Sequence, residues 1–176
     1  MTTAPSVALR RLRSDDEDAF LAAVRRSRRL HHPWAYPPDS SEAFASYVAP
    51  SPARVPLAVV TDDGELAGVY TLSQIHYGPF RNAYLGYYAF VPHAGTGAMR
   101  AAMRHVFRSS FGELGLHRLQ ANVQPGNTRS VELIRATGWR EEGFARRYLK
   151  IGGRWRDHLM FAILAEDVGA SARRRS

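Results

Sequence analysis

Val91-Pro92-His93-Ala94-Gly95-Thr96-Gly97-Ala98-Met99 follows an aromatic strand pattern, Ala83-Tyr84-Leu85-Gly86-Tyr87-Tyr88-Ala89-Phe90, and opens an amphipathic helix. Strand, glycine loop and helix in that order make an anion cradle. Glycines let backbone N–H groups approach an anion and the helix N-terminus adds partial positive charge, so a pyrophosphate fits without any side chain. The helix is specified by Met99, Ala102, Met103, Val106, Phe107 and Ser110 at i, i+3, i+4, i+7 spacing, with Arg100, Arg104 and Arg108 on the other face. Arginine in the first turns opposes the helix dipole at a cost of roughly a few tenths of a kcal/mol. An acidic ligand beside Arg100 and Arg104 would offset that cost, although the arginines alone read equally as a solvated basic face.

The two glycines are not a dinucleotide fingerprint, because no third glycine sits at the right offset and no acidic residue closes a second strand at the right distance. The next segment narrows the reading. His117 to Val123 reads as a strand, Gln124-Pro125-Gly126 as a turn, and Asn127-Thr128-Arg129-Ser130 as a capped helix start running to Gly138. Asn127 and Ser130, three residues apart on the first turn, can both face one point beside the strand end.

Upstream, Val7 to Arg13 alternates as a strand, and Ser14-Asp15-Asp16-Glu17 reads as a capping box for a helix through about residue 28. A His-Pro-aromatic loop follows from Arg29 to Pro38, then Asp39-Ser40-Ser41-Glu42 caps a second helix with Phe44, Tyr47 and Val48 on one face. Leu57–Val60 and Leu66–Ile75 read as strands around Asp62-Asp63-Gly64, and Trp139–Ile151 and Arg154–Leu164 as a last hairpin around Gly152-Gly153. The order β-α-α-β-β-β-α-β-α-β-β implies an α+β fold, a mixed, mostly antiparallel sheet of about seven strands flanked by helices. Three successive strands cannot be parallel neighbours without crossovers, which argues against a doubly wound sheet.

At 176 residues the chain is expected to be one domain, with an ordered core over about residues 7–166 and a flexible basic tail over 167–176. Cysteine is absent, which excludes disulfides, a thiolate nucleophile and zinc–thiolate sites. Of seven histidines only the adjacent His31 and His32 are grouped, and Pro33 assigns both to a loop, so no metal site is expected. Met1 to Ala8 lacks the apolar run of a signal segment, and no run is long enough to span a bilayer, so a cytoplasmic protein is expected. The net charge is +8, and all but one of the 24 basic residues, Lys150, are arginine. Such a surface suits phosphate-rich partners, with Arg25, Arg26, Arg28, Arg29 and the Arg173-Arg174-Arg175 tail as candidate RNA contacts.

The blocks Tyr84-Leu85-Gly86-Tyr87, Gly95-Thr96-Gly97-Ala98-Met99, Leu116-His117-Arg118, Pro125-Gly126-Asn127-Thr128-Arg129-Ser130 and Gly152-Gly153-Arg154-Trp155-Arg156-Asp157-His158 resemble the RimJ branch of the GNAT N-acetyltransferases. The resemblance runs from about Leu9 to Leu164 and includes the His32-Pro33-Trp34 loop. It implies the GNAT version of the mixed sheet, acetyl-CoA as cosubstrate, and transfer to the N-terminal amine of a ribosomal protein. Acetylation of a small amine, and a ribosome- or RNA-associated factor with a vestigial acetyl-CoA site, are the alternatives. A monomer or homodimer fits equally.

Within the resemblance, the donor is held by Phe90, Val91, His93, Gly95, Thr96, Gly97, Ala98, Met99 and Arg100 together with Asn127 and Ser130. A backbone N–H near Phe90 or Val91 polarises the thioester carbonyl, with Thr96 adding its hydroxyl to the pyrophosphate cradle. Asn127 caps the helix and touches the pantetheine arm, and Ser130 donates to the departing thiolate. His32, Trp34, Tyr36 and Tyr87 line the acceptor site across the sheet. Related sequences often carry glutamate where this chain has Tyr84, which leaves Asp157, His158 and Glu142 as candidate bases, each also readable as structural. Asp157 is expected to pair with Arg118 or Arg156. An α-amine, with pKa about 7.7 to 8.0, needs a weaker base than a lysine amine near 10.4.

Overall fold

The computed structural model describes residues 5–173. Strands β1 (Val7–Arg11), β2 (Arg54–Thr61), β3 (Leu66–His76), β4 (Asn82–Ala89), β5 (Arg118–Val123), β6 (Arg140–Ile151) and β7 (Arg154–Leu164) form one sheet in the order β1-β2-β3-β4-β5-β7-β6. Every neighbouring pair is antiparallel except β4 and β5. These two pair only over Asn82–Tyr84 against Arg118–Gln120 and then part, although β4 continues to Ala89 and β5 to Val123. The parted ends open a gap through the middle of the sheet.

Strand alternation sorts residues onto two faces. One carries Leu57, Tyr70, Leu72, Leu85, Leu119, Ala121 and Phe161, buried under α4 (Ala98–Phe107) and α5 (Thr128–Ala136). The α4 stripe is the expected one, Met99, Ala102, Met103, Val106 and Phe107 all being buried, and a turn of π-helix over Arg108–Glu113 places Ser110 inside as well. Aromatic packing dominates the other face, where Phe20 and Val24 of α1 (Glu17–Arg26) and Phe44 of α3 (Ser41–Val48) pack on Ala58, Val69 and Phe90. Phe20 is fully buried, with the rings of Phe44, Tyr47, Tyr88 and Phe90 around it.

Three local expectations change. The helix start at Ser14 is organised by Asp16, whose carboxylate takes the Arg13 N–H at 2.8 Å and both ends of the Arg10 guanidinium at 2.7 Å. His31 is not a loop residue: it ends the short helix α2 (Arg28–His31), buried. Residues 167–173, expected in a loose tail, belong to α6 (Ala165–Arg173), which continues from β7, and Asp167 accepts the Leu164 N–H at 3.0 Å. Arg174 and Arg175 of the basic end, and the first four residues, lie outside the described residues. Among the described residues no helix is long and apolar enough to cross a membrane, and no three acidic or histidine side chains are grouped to hold a metal.

The Arg10 guanidinium holds the Asp16 carboxyl below its ordinary value. A carboxylate with a depressed folded-state pKa stabilises above its unfolded pKa, about 3.9, and loses that contribution as pH falls through the folded value. Asp16→Ala is therefore expected to cost about 1–2 kcal/mol at pH 7. In urea titrations the difference from the parent should narrow below pH 4, and a pH-independent difference would count against the ion pair.

Candidate active site

Gly95 and Gly97 both adopt positive φ, +83° and +94°, and Gly97 caps α4 in the left-handed region that side chains disfavour. The N–H groups of Ala98, Met99 and Arg100, in the first turn of α4, have no preceding carbonyl within the helix to bond. The space beside Gly95 is open, since a Cβ built there would meet nothing within 4 Å. The loop thus has the donor set a pyrophosphate needs, and Arg100 stands exposed on the same turn.

Several side chains assigned to the cradle turn elsewhere. His93 Nε2 lies 2.8 Å from Glu65 Oε2 on the β2–β3 hairpin. Thr96 Oγ1 donates to the His93 carbonyl at 2.7 Å and accepts the Ala98 N–H at 3.4 Å, so its hydroxyl braces the loop instead of extending from it. The backbone N–H groups expected to polarise the carbonyl, near Phe90 or Val91, are both taken. The Phe90 N–H donates to the Ala67 carbonyl at 2.8 Å and the Val91 N–H to Ser27 Oγ at 3.0 Å. In an antiparallel ladder alternate residues point their N–H groups the same way. Phe90 pointing to β3 therefore leaves Tyr87 and Ala89 pointing their N–H groups toward the gap, beyond the last β4–β5 pair.

A cleft of about 590 Å³ occupies that gap. Its walls include Leu85, Tyr87 and Val123 from one face of the sheet and Gly86, Tyr88 and Asn122 from the other, so it passes through the sheet between the parted strands. Asn127 and Ser130 border it from the start of α5. Asn127 caps this helix as expected, its Oδ1 accepting the Ser130 N–H at 3.4 Å. Ser130 Oγ is 2.5 Å from the Tyr87 hydroxyl, which also donates to the Ser130 carbonyl at 3.2 Å. Burial pushes the Tyr87 phenol far above its ordinary pKa, so it stays a neutral hydroxyl at physiological pH. Tyr87 was expected on the acceptor side; its place is beside Ser130, on the α5 face.

The loop after α2 roofs the other mouth. Gln124 Nε2 donates to the Trp34 carbonyl at 3.1 Å. The Tyr36 ring rests against Gly152 of the β6–β7 hairpin, where φ of +58° and the approaching hydroxyl leave no room for a side chain. Trp34 and Tyr36 line the cleft; His32 does not, its ring stacking edge-on to Tyr36 at 6.0 Å. Leu149, Lys150, Ile151 and His158 complete the wall. The buried His31 supports the roof from below, with Nε2 on the Ala89 carbonyl at 2.7 Å.

Two of the candidate bases are structural. Glu142 is clamped by Arg118, which holds its carboxyl below the usual range, and Asp157 accepts the Arg147 N–H at 2.7 Å. Arg118 therefore pairs with Glu142 and not with Asp157. Tyr84 is engaged as well, Tyr148 and burial keeping its hydroxyl above the ordinary pKa. Asn122 was missed by the sequence reading, and its signal was an amide recurring at alternate positions of β5 (Gln120, Asn122) between buried apolar residues.

The family model for the acetyltransferase (GNAT) domain matches residues 6–140. Over 105 residues the chain is 41% identical to the probable N-acetyltransferase YjcK of Bacillus subtilis, covering 60% of this chain and 58% of that protein. It is 37% identical over 110 residues to ribosomal protein uS5-alanine N-acetyltransferase of Escherichia coli, covering 60% and 55%. The match thus spans somewhat over half the length of these curated relatives. The structure of Mycobacterium smegmatis RimJ in complex with CoA-disulfide superposes with a TM-score of 0.83 at 29% identity, over 97% of this chain and 91% of that one. Spermidine N-acetyltransferase from Vibrio cholerae, in complex with CoA and spermine, shares the fold at a TM-score of 0.78 and 23% identity, over 92% and 96%.

Proposed function

The chain belongs to the GNAT acetyltransferase family, and on that premise we propose that it transfers the acetyl group of acetyl-CoA to the N-terminal α-amine of a protein, with cytoplasmic ribosomal proteins as the acceptor class. The observation that carries this reading is the charge of the cleft. Among its described walls there is no aspartate or glutamate, and Lys150 is the one side chain with a full charge. A polyamine brings several positive charges and calls for carboxylates to meet them. An α-ammonium brings one, which is readily lost because its pKa is about 7.7 to 8.0. Aromatic residues Trp34, Tyr36, Tyr47 and Tyr88 line the path, suiting a small first residue such as alanine or serine and an extended chain behind it. The name of the Escherichia coli relative, an alanine N-acetyltransferase for a ribosomal protein, points the same way.

On this reading the glycine loop and the first turn of α4 hold the coenzyme phosphates, with Asn127 beside the pantetheine arm. The Tyr87 or Ala89 N–H receives the thioester carbonyl, and Ser130 with Tyr87 meets the departing sulfur. The test uses three acceptors side by side: a peptide with a free alanine N-terminus, the same peptide pre-acetylated and carrying a lysine, and spermidine. Mass spectrometry should find the free N-terminus modified at least about tenfold faster than either competitor. Faster modification of the lysine or of spermidine would overturn the proposal.

A further inference from the structure

We propose that His158 is the general base of the transfer, taking the acceptor amine's proton on Nε2 while Asn122 Oδ1 accepts a second N–H of the same amine. The inference rests on reading the cleft as the acyl-transfer site. It deepens that reading by naming a base.

Three observations meet here. First, β5–β7 pairing sets Asn122 opposite Met160, and alternation puts His158 on the same face as both. This is the α1–α3 face, opposite the one carrying Tyr87. Donor-side hydroxyls and His158 thus approach the gap from its two sides. Second, Asn122 Oδ1 is buried without a hydrogen-bond partner although its residue borders the cleft, an acceptor that a bound N–H would satisfy. Third, the tautomer of His158 is set. Its Nδ1 lies 3.0 Å from the Arg156 carbonyl, which accepts only from an N–H, so Nε2 is left with the lone pair.

The groups facing the ring keep it neutral. Its residue is 2% exposed, and burial lowers its pKa more than the Arg156 carbonyl and the Asp157 charge raise it. The Tyr148 ring of β6 packs edge-on at 5.8 Å. Asp157 is turned to the Arg147 N–H, Lys150 on the same wall adds positive charge, and Tyr47 and Tyr88 are phenols raised by burial. A neutral imidazole of lowered basicity suits an α-ammonium, with pKa about 7.7 to 8.0, better than a lysine ammonium near 10.4, which holds its proton more tightly.

The step balances without any further reagent. The amine lone pair forms the N–C bond to the thioester carbonyl carbon, and the C–S bond breaks with its electron pair on sulfur. One N–H proton passes to His158 Nε2 and then to water. The sulfur takes a proton from the Ser130–Tyr87 hydroxyl pair, which is refilled from water.

The experiment follows kcat with pH at saturating peptide, because kcat reports groups in the bound complex. In the parent it should level off below pH 7, as His158 becomes neutral. His158→Gln should lower kcat at pH 7 by at least about tenfold, with coenzyme A affinity and thermal midpoint kept. Its profile should rise through about pH 8 with the amine's own ionisation, and added imidazole should restore part of the rate. Asn122→Ala should raise KM for peptide and leave coenzyme A affinity alone. A parent profile that levels only near pH 8, or a His158→Gln profile identical to the parent's, overturns the assignment while leaving the acceptor proposal standing. A parent that acetylates only spermidine overturns the acceptor proposal and leaves the same His158 comparison to be made with that amine. Absence of thiol release with every amine overturns both.

Discussion

Gly97→Val is expected to weaken coenzyme A binding at least about a hundredfold in isothermal titration, a loss of about 2.7 kcal/mol. Gly97 sits at φ +94°, ψ −4° as the cap of α4. A β-branched residue in that region costs about 1–3 kcal/mol, all of it backbone strain, since its Cβ would meet only Pro5, with Cδ at an ordinary contact distance of 3.5 Å. Relief of that strain requires the loop to swing, and the swing displaces the loop from the N–H groups of the first turn of α4. The helix itself should survive, because its buried stripe from Met99 to Phe107 is held by Tyr70, whose hydroxyl donates to the Met99 carbonyl at 2.9 Å, and by the packing beneath it. Gly97→Ala, with a smaller side chain at the same φ, should fall between parent and valine variant. Affinity within a factor of two of the parent in a folded Gly97→Val protein would remove the loop from the coenzyme site.

Ser130→Ala and Tyr87→Phe are each expected to lower kcat about a hundredfold or more while leaving coenzyme A affinity and peptide KM nearly unchanged. The two hydroxyls are 2.5 Å apart and act on one sulfur, so they form a unit. A hydrogen bond to the leaving thiolate exists only once charge has developed there, and its loss therefore appears in kcat. Because burial keeps Tyr87 a neutral hydroxyl, it orients and polarises the Ser130 hydroxyl without giving up its own proton. The double variant should be little worse than either single one, the non-additivity expected of residues sharing one function. Thiol-release kinetics under conditions where chemistry limits the rate make the comparison. Full additivity, or an unchanged kcat in Ser130→Ala, would return Ser130 to helix capping alone.

Strand and helix positions were legible because their causes are local. Alternation marked β1, the turns at Asp62-Asp63-Gly64 and Gly152-Gly153 marked the strands on either side of them, the Met99–Phe107 stripe marked α4, and Asn127 and Ser40 cap their helices as their residue types require. The capping box at Ser14 misled because Asp16 is bidentate to Arg10, a residue of β1, and that partner outweighs the local serine. His31 misled for a related reason. Its neighbour Pro33 argued for a loop, yet burial against Tyr88 and Phe90 and the bond to the Ala89 carbonyl hold it in a helical turn.

The sequence by itself determined the order of the seven strands and of α1, α3, α4 and α5 among them, the glycine loop opening α4, and the pairing of Asn127 with Ser130 on one turn, since each depends on residues a few positions apart. Tertiary structure decided where the chemistry converges. Whether Phe90 or Tyr87 aims its N–H into the gap depends on the register of β4 against β3, and a shift of one residue exchanges them. Ser130 meets Tyr87 across 43 positions, and His158 shares a face with Asn122 only because β7 lies beside β5. Directionality of hydrogen bonds along a strand and the alternation of its side chains are local rules. Which neighbour each strand takes, and in what register, is set by the packing of the whole sheet against its two helical layers.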